Sequence, residues 1–209
     1  MHILIIAATP QEVAPFVQLH PHTEIHITGV SVPATLFSLQ QKLLNKQYDF
    51  IIQAGVCGAF TDDFDLGQVT LVSTDRFADT GAMETDGFND VFDMKLADGN
   101  AFPYRDGWLD NNTPLLHTLD LPKVKAITIN TIHADKAYND VLHKKYNVDI
   151  ESMEGAAFHF CCLQQKISFL QLRAISNYVG ERKKENWKLK ESIAHLNREL
   201  EKLVTILLK

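Results

Sequence analysis

Five short apolar runs, at residues 3–8, 50–54, 69–73, 126–130 and 169–176, constrain most strongly what this chain can fold into. They are continuous rather than alternating apolar and polar, the pattern of strands buried on both faces. Between them lie stretches with helical spacing. Residues 32–44 put Leu36, Leu39 and Leu43 on one stripe, and residues 154–165 form a second candidate helix. Near the C-terminus Ile193, Leu196, Leu200, Leu203 and Leu207 follow at three- and four-residue steps, which predicts an amphipathic helix. Strands alternating with helices predict an α/β sandwich around a largely parallel sheet. With 209 residues, no internal repeat and no low-complexity linker, the chain reads as one domain over 1–209. Residues 84–118 break the rhythm with many Asp, Asn and Gly residues and scattered Phe88, Phe92, Tyr104 and Trp108. Such a long connection is either a surface excursion around its own small cluster or a lid or subunit contact.

Charge and cysteine content narrow the function. The formal net charge of -6 gives an acidic surface that repels phosphate backbones, so nucleic acid is not expected as a partner. The run at 3–8 is too short for a signal-peptide core and lacks a basic flank. No segment approaches the ~20 apolar residues of a membrane span. No membrane contact and a cytoplasmic location are therefore expected. Three cysteines, Cys57, Cys161 and Cys162, without a secretory signal read as reduced thiols. Neither they nor the nine scattered histidines have metal-ligand spacing, so no metal and no cofactor is expected.

Four stretches can carry chemistry. Glu12 follows the first strand after the turn Thr9-Pro10-Gln11. Pro10 suits the first position of a helix. Ligands bind beyond the carboxyl ends of parallel strands, where Glu12 falls. An acidic residue in a first helical turn is also favourable through the helix dipole alone. In Gln53-Ala54-Gly55-Val56-Cys57-Gly58-Ala59, two glycines follow a strand and let the backbone turn or approach a ligand closely. Asp149-Ile150-Glu151-Ser152-Met153-Glu154-Gly155 reads as a strand end running into a helix, where a carboxylate can accept both hydroxyls of a ribose. Leu172-Arg173-Ala174-Ile175-Ser176-Asn177 ends an apolar strand in a residue that donates and accepts at once, followed by Arg182 and Trp187.

In order and spacing these four stretches resemble the nucleoside phosphorylase and nucleosidase superfamily. Glu151 to Phe158 and Ile175 to Arg182, with Trp187, are similar to its futalosine-hydrolysing branch, which serves menaquinone biosynthesis. The resemblance implies a phosphorylase-like αβα sandwich with a central mixed, largely parallel sheet, and a small-molecule nucleoside as substrate. It implies a homodimer or higher homo-oligomer as well. It gives Glu12 the role of activating water, and Asn177 a hydrogen bond to the base at N7. Ser152, Met153 and Glu154 match the ribose side, with Glu154 on the sugar hydroxyls. Gly55, Val56 and Cys57 match the loop beside ribose and base, and Ser176 adjoins the base contact.

Departures from the family pattern refine these expectations. Related phosphorylases often carry Arg two residues before the loop Gly, and Ser after it. Here Gln53 and Val56 stand there, and no Arg precedes Arg76. Phosphate needs fixed positive charge, whereas water needs a general base, so hydrolysis is favoured over phosphorolysis. Methylthioadenosine and adenosylhomocysteine nucleosidases carry Asp where this chain has Asn177. A neutral amide suits a 6-oxopurine, so hypoxanthine is the expected leaving group. Arg182 and Trp187 suit the carboxyphenyl tail of futalosine, because a guanidinium pairs with a carboxylate in two parallel bonds. Ser152 stands where related nucleosidases often have Glu. Glu151 lies one residue earlier and, by strand alternation, is expected on the opposite face without a catalytic role. Inosine or methylthioadenosine hydrolysis or phosphorolysis, or nucleoside binding without catalysis, are the competing readings.

Overall fold

A computed structural model describes residues 1–85 and 87–208. In chain order the elements are β1 (Ile3–Ala7), α1 (Pro10–Leu19), β2 (Ile25–Ile27), α2 (Val32–Asn45), β3 (Phe50–Ala59), β4 (Val69–Asp75), β5 (Gly81–Glu84), β6 (Gly87–Asp90), β7 (Leu109–Asp110), α3 (Leu115–Thr118), β8 (Lys123–Thr128), α4 (Lys136–Tyr146), β9 (Ile150–Ser152), α5 (Gly155–Gln165), β10 (Ser168–Tyr178) and α6 (Leu189–Leu207). All five apolar runs are strands of one mixed sheet.

The sheet is parallel where β3 meets β1 and β10, and where β8 meets β4 and β9. It is antiparallel at β10–β4 and β3–β9. Because β10 pairs with both β3 and β4, the strands β3, β10, β4, β8 and β9 close into a ring, and β1 and β2 extend from β3. Alternation along β1 sorts the core into two layers. Ile5 and Ala7 face α1 and α6 with Phe16, Leu196 and Leu200. Leu4 and Ile6 face α2 and α5 with Leu39, Phe158 and Cys162. The leucine stripe of α6 is the buried stripe, and all-round apolar α5 is the one whose small residues are buried on every side.

One expectation changes. β3 does not end at residue 54 but runs on through both glycines to Ala59. Its edges explain this: β10 pairs along one side, and β9 meets the far end of the other. Neither Gly55 nor Gly58 has a positive φ, so neither makes a turn. Residues 84–118 build their own cluster around buried Arg76. Its guanidinium bonds Asp90 at 2.5 Å and lies against the rings of Phe92, Trp108 and Tyr146. Among the described residues no helix is long and apolar enough to cross a membrane.

Candidate active site

A gap on one edge of β3 creates the site. β1 pairs with β3 only as far as Gln53, and β9 joins that edge only from Gly58. Between them the backbone N–H of Val56 donates to Oε1 of Glu12 at 3.1 Å. Glu12 reaches that point because Thr9 caps α1 and Pro10 opens it, placing Glu12 in the first turn. Its other oxygen, Oε2, accepts from Thr9 N at 2.8 Å and from Thr9 Oγ1 at 3.0 Å. One carboxylate thus completes a capping box and faces the cavity. α6 fixes it from behind. Asn197 donates to the carbonyl of Glu12 at 2.8 Å and accepts from Phe16 N at 2.9 Å, inserting into the backbone ladder of α1 near Pro15.

The cavity has a volume of about 320 Å³, within the range that holds a small ligand. Glu12, Val56, Cys57, Ser152, Met153, Glu154, Ser176, Asn177, Arg182 and Trp187 all line it. Residues from early and late in the chain therefore converge on one cavity.

Gly55 does not line it. The space its side chain would fill holds the Arg173 guanidinium, 2.5 Å from a built Cβ, and Oε1 of Glu12 at 3.0 Å. It belongs to the support behind the cavity, and Gly58 is the glycine of the wall. Arg173 is the main residue the sequence reading left without a role. It is 1% exposed and lies between the carboxylates, with Nη1 3.6 Å from Glu154 Oε2 and 3.2 Å from the Val56 carbonyl. Its Nη2 donates to Gln53 Oε1 at 3.1 Å, so Gln53 points into the core rather than the cavity. A charge inside an apolar strand must be paired, and that was the signal available in Leu172-Arg173-Ala174. Glu154 also accepts from Ser31 N at 3.1 Å. Burial raises its pKa, while Arg173 and the Ser31 N–H pull it down.

Asn177 owes its aim to a bulge. Ile175 pairs with Cys57 and Asn177 with Gly58, leaving Ser176 as the extra residue of β10. Ser176 Oγ lies 2.9 Å from Asn177 Oδ1, and Asn177 Nδ2 donates to the Tyr178 carbonyl at 3.0 Å. The Cys57 thiol is buried and pushed up to about 12, so it stays neutral.

Glu151 corrects an expectation. Strand alternation does separate it from Ser152, but Glu151 takes the cavity side beside Gly58. Ser152 still lines the wall, with its Oγ accepting from Gly155 N at 3.2 Å where β9 gives way to α5. Glu151 is 7% exposed, and burial lifts its pKa to about 7 against the pull of Arg182. At the mouth the Arg182 guanidinium lies 5.6 Å from the centre of the Trp187 ring. Trp187 Nε1 donates to the Glu181 carbonyl at 2.9 Å. Among the described residues no group of three His, Cys, Asp or Glu side chains is placed to hold a metal ion.

Known proteins share the sequence family and the fold. The family model of the phosphorylase superfamily matches residues 25–209. Futalosine hydrolase of Thermus thermophilus is 30% identical over 182 residues, covering 85% of this chain and 79% of the relative. That of Streptomyces coelicolor is 26% identical over 175 residues, covering 78% and 68%. Among solved structures, native futalosine hydrolase of Helicobacter pylori matches with a TM-score of 0.80 at 14% identity, covering 97% of each chain. A Helicobacter pylori 5'-methylthioadenosine/S-adenosylhomocysteine nucleosidase matches with a TM-score of 0.79 at 14% identity, again over 97% of each chain. The chain belongs to the phosphorylase superfamily. Within it, the chain is a hydrolase of N-glycosyl compounds.

Proposed function

We propose that this chain hydrolyses futalosine to hypoxanthine and dehypoxanthinyl futalosine, which places it in menaquinone biosynthesis. The observation that carries the reading is the charge of the cavity. Glu12, Glu154 and a Glu151 whose pKa is raised to about 7 line it, Arg173 is spent behind the wall on Glu154, Gln53 and the Val56 carbonyl, and Arg182 is the one lining Arg or Lys among the described residues. Such a lining repels a phosphate nucleophile and suits water activated by a carboxylate. It also suits the positive charge that develops on a ribose ring as a glycosidic bond breaks.

Glu12 takes a proton from the attacking water. Its three hydrogen bonds hold the carboxylate in one orientation before substrate arrives. Water adds to C1′ as the bond to N9 breaks. Glu154 accepts the ribose hydroxyls, with Met153 against the sugar. Asn177, set by its bulge, holds N7 and O6 of the 6-oxopurine. The aromatic tail of futalosine lies against Trp187, and its carboxylate pairs with Arg182. Association into a homodimer or higher homo-oligomer belongs to the same reading, and exposed Phe37 and Leu44, seven residues apart on α2, are available to such a contact.

The test is to incubate the purified protein with futalosine in the absence of phosphate and follow hypoxanthine by chromatography, with inosine as control. Fast release from futalosine alone supports the proposal. Release only from inosine, or only after phosphate is added, overturns the substrate or the nucleophile.

A further inference from the structure

The mechanism above leaves one chemical need unmet. A purine leaving through N9 gathers negative charge, and it departs more easily when a proton reaches N7. Asn177 holds N7 but has no proton to give, since an amide does not ionise as an acid near neutral pH. Its Nδ2 is also engaged by the Tyr178 carbonyl. Glu12 is on the wrong side of the reaction, because it receives the proton of the water.

Gly58 brings a second group to the base. On one edge of β3 it pairs with Asn177, and on the other with Glu151. Residues paired across a sheet point to the same face, so the two side chains stand on either side of a residue that has none. A Cβ built on Gly58 would lie 3.3 Å from Asn177 Nδ2 and 3.6 Å from Glu151 Cγ. Both side chains therefore lean over the same point on the cavity floor. Glu151 lines the cavity, and its surroundings supply burial and the charge of Arg182 rather than a hydrogen bond.

We propose that Glu151 is the general acid that delivers a proton to N7 of the departing purine. The inference rests on the nucleosidase reading above. The C1′–N9 electron pair moves into the purine as the Glu151 proton passes to the single lone pair of N7, while the Asn177 amide keeps O6. The water oxygen bonds to C1′, and its proton goes to Glu12. Hypoxanthine leaves neutral, Glu151 is left ionised and Glu12 protonated, and exchange with solvent resets both. The groups facing Glu151 favour this use. Cys57 on β3 and Tyr138 on α4 are both raised by burial and stay neutral. Arg182, beyond β10, is the cation that pulls its proton away. Pairing of Arg182 with the tail carboxylate of the substrate relieves that pull and leaves Glu151 protonated when the bond breaks.

The experiment compares wild type, Glu151→Gln and Glu151→Asp on futalosine over a pH series, with thermal unfolding to establish that each is folded. Wild-type kcat/KM is expected to fall as pH rises through about 7, as the acid of the free enzyme loses its proton, and the alkaline limb of kcat to lie higher, where the substrate carboxylate pairs with Arg182. Glu151→Gln is expected to lose about 10²–10⁴-fold in kcat with KM little changed, and its residual activity to lack the alkaline limb. Glu151→Asp keeps the acid and is expected to recover part of kcat and to retain the limb. It carries the test if the amide variant does not fold. A Glu151→Gln kcat close to wild type, a loss carried by KM alone, or an alkaline limb that survives in Glu151→Gln would each overturn the proposal. Wild type inactive on both futalosine and inosine would strike down the nucleosidase reading itself, and this inference with it.

Discussion

Asp75→Asn should make the protein more stable at pH 8 and leave it nearly unchanged at pH 4. Asp75 ends β4 at 0% exposure, beneath the start of α5. Its Oδ1 accepts from Thr128 Oγ1 at 2.9 Å and from Arg76 N at 2.8 Å, while Oδ2 has no partner. Oδ2 fills the space beside Gly155, 2.1 Å from where a Cβ would stand, so no side chain fits there. Burial raises the carboxyl from 3.8 to about 7, against the pull of Thr128, the Arg76 N–H and the Arg173 charge. A folded-state pKa above the unfolded one means that the folded form holds the proton more tightly. The stability Asp75 contributes is therefore complete below its unfolded pKa and is lost as pH rises to the folded one. At about 1.4 kcal/mol per unit, the loss between pH 4 and 7 comes to about 4 kcal/mol, a large part of a typical folding free energy. Asparagine keeps an oxygen for Thr128 and Arg76 and turns its amide towards Gln171, the polar neighbour of Oδ2. Buried His159, pushed down to about 4, works in the opposite sense as pH falls below the ordinary histidine value of about 6.5. It is common to both proteins and cancels in their difference. Urea unfolding followed by tryptophan fluorescence at pH 4, 6 and 8 reads that difference. An Asp75→Asn protein less stable than wild type at pH 8, or a difference independent of pH, would refute the reasoning.

Three further outcomes are expected. Glu12→Gln should be close to inactive in steady-state hypoxanthine release, and substantial residual hydrolysis would remove Glu12 as the base. Asn177→Ala should fold normally by circular dichroism yet lose about 2.7–4 kcal/mol of transition-state stabilisation. Near wild-type turnover would take Asn177 out of the mechanism. Arg182→Ala should raise KM for futalosine and leave inosine, which has no tail carboxylate, little affected. An unchanged KM for futalosine would dismiss Arg182 as the tail's partner.

The parts of the fold legible in the sequence are those whose signal is local. Buried strands announce themselves as apolar runs, and α6 by its leucine spacing. Glu12 was legible because strand, turn, proline and carboxylate follow one another within a few residues. Helix α4 carried usable signals, an Asp135 cap and a left-handed Asn147 end, but its charged face hid them among Lys, His and Asp. β2 is only Ile25–Ile27, too short for any periodicity to stand out. The rest depends on pairing between distant segments. That β3 continues through Gly55 and Gly58 is decided by β10 and β9, more than 90 residues away. Which face of β9 carries Glu151 follows from its antiparallel register with Gly58. The role of Arg173 follows from what lies across from it at Gly55. No single window of sequence contains those facts.

The bond from Asn197 to Glu12 spans 185 residues, and it has a consequence for how the enzyme comes into being. Glu12 is made early and Asn197 late, while the ribosome adds about 5–20 residues each second. A nascent chain that has completed β1 and β3 already holds Glu12, Thr9 and Val56, yet the rear support of α1 has not been synthesised. The backbone that carries Glu12 gains its last anchor only when α6 docks. A chain stalled or clipped before α6 therefore lacks both Asn197 hydrogen bonds that hold α1 behind Glu12.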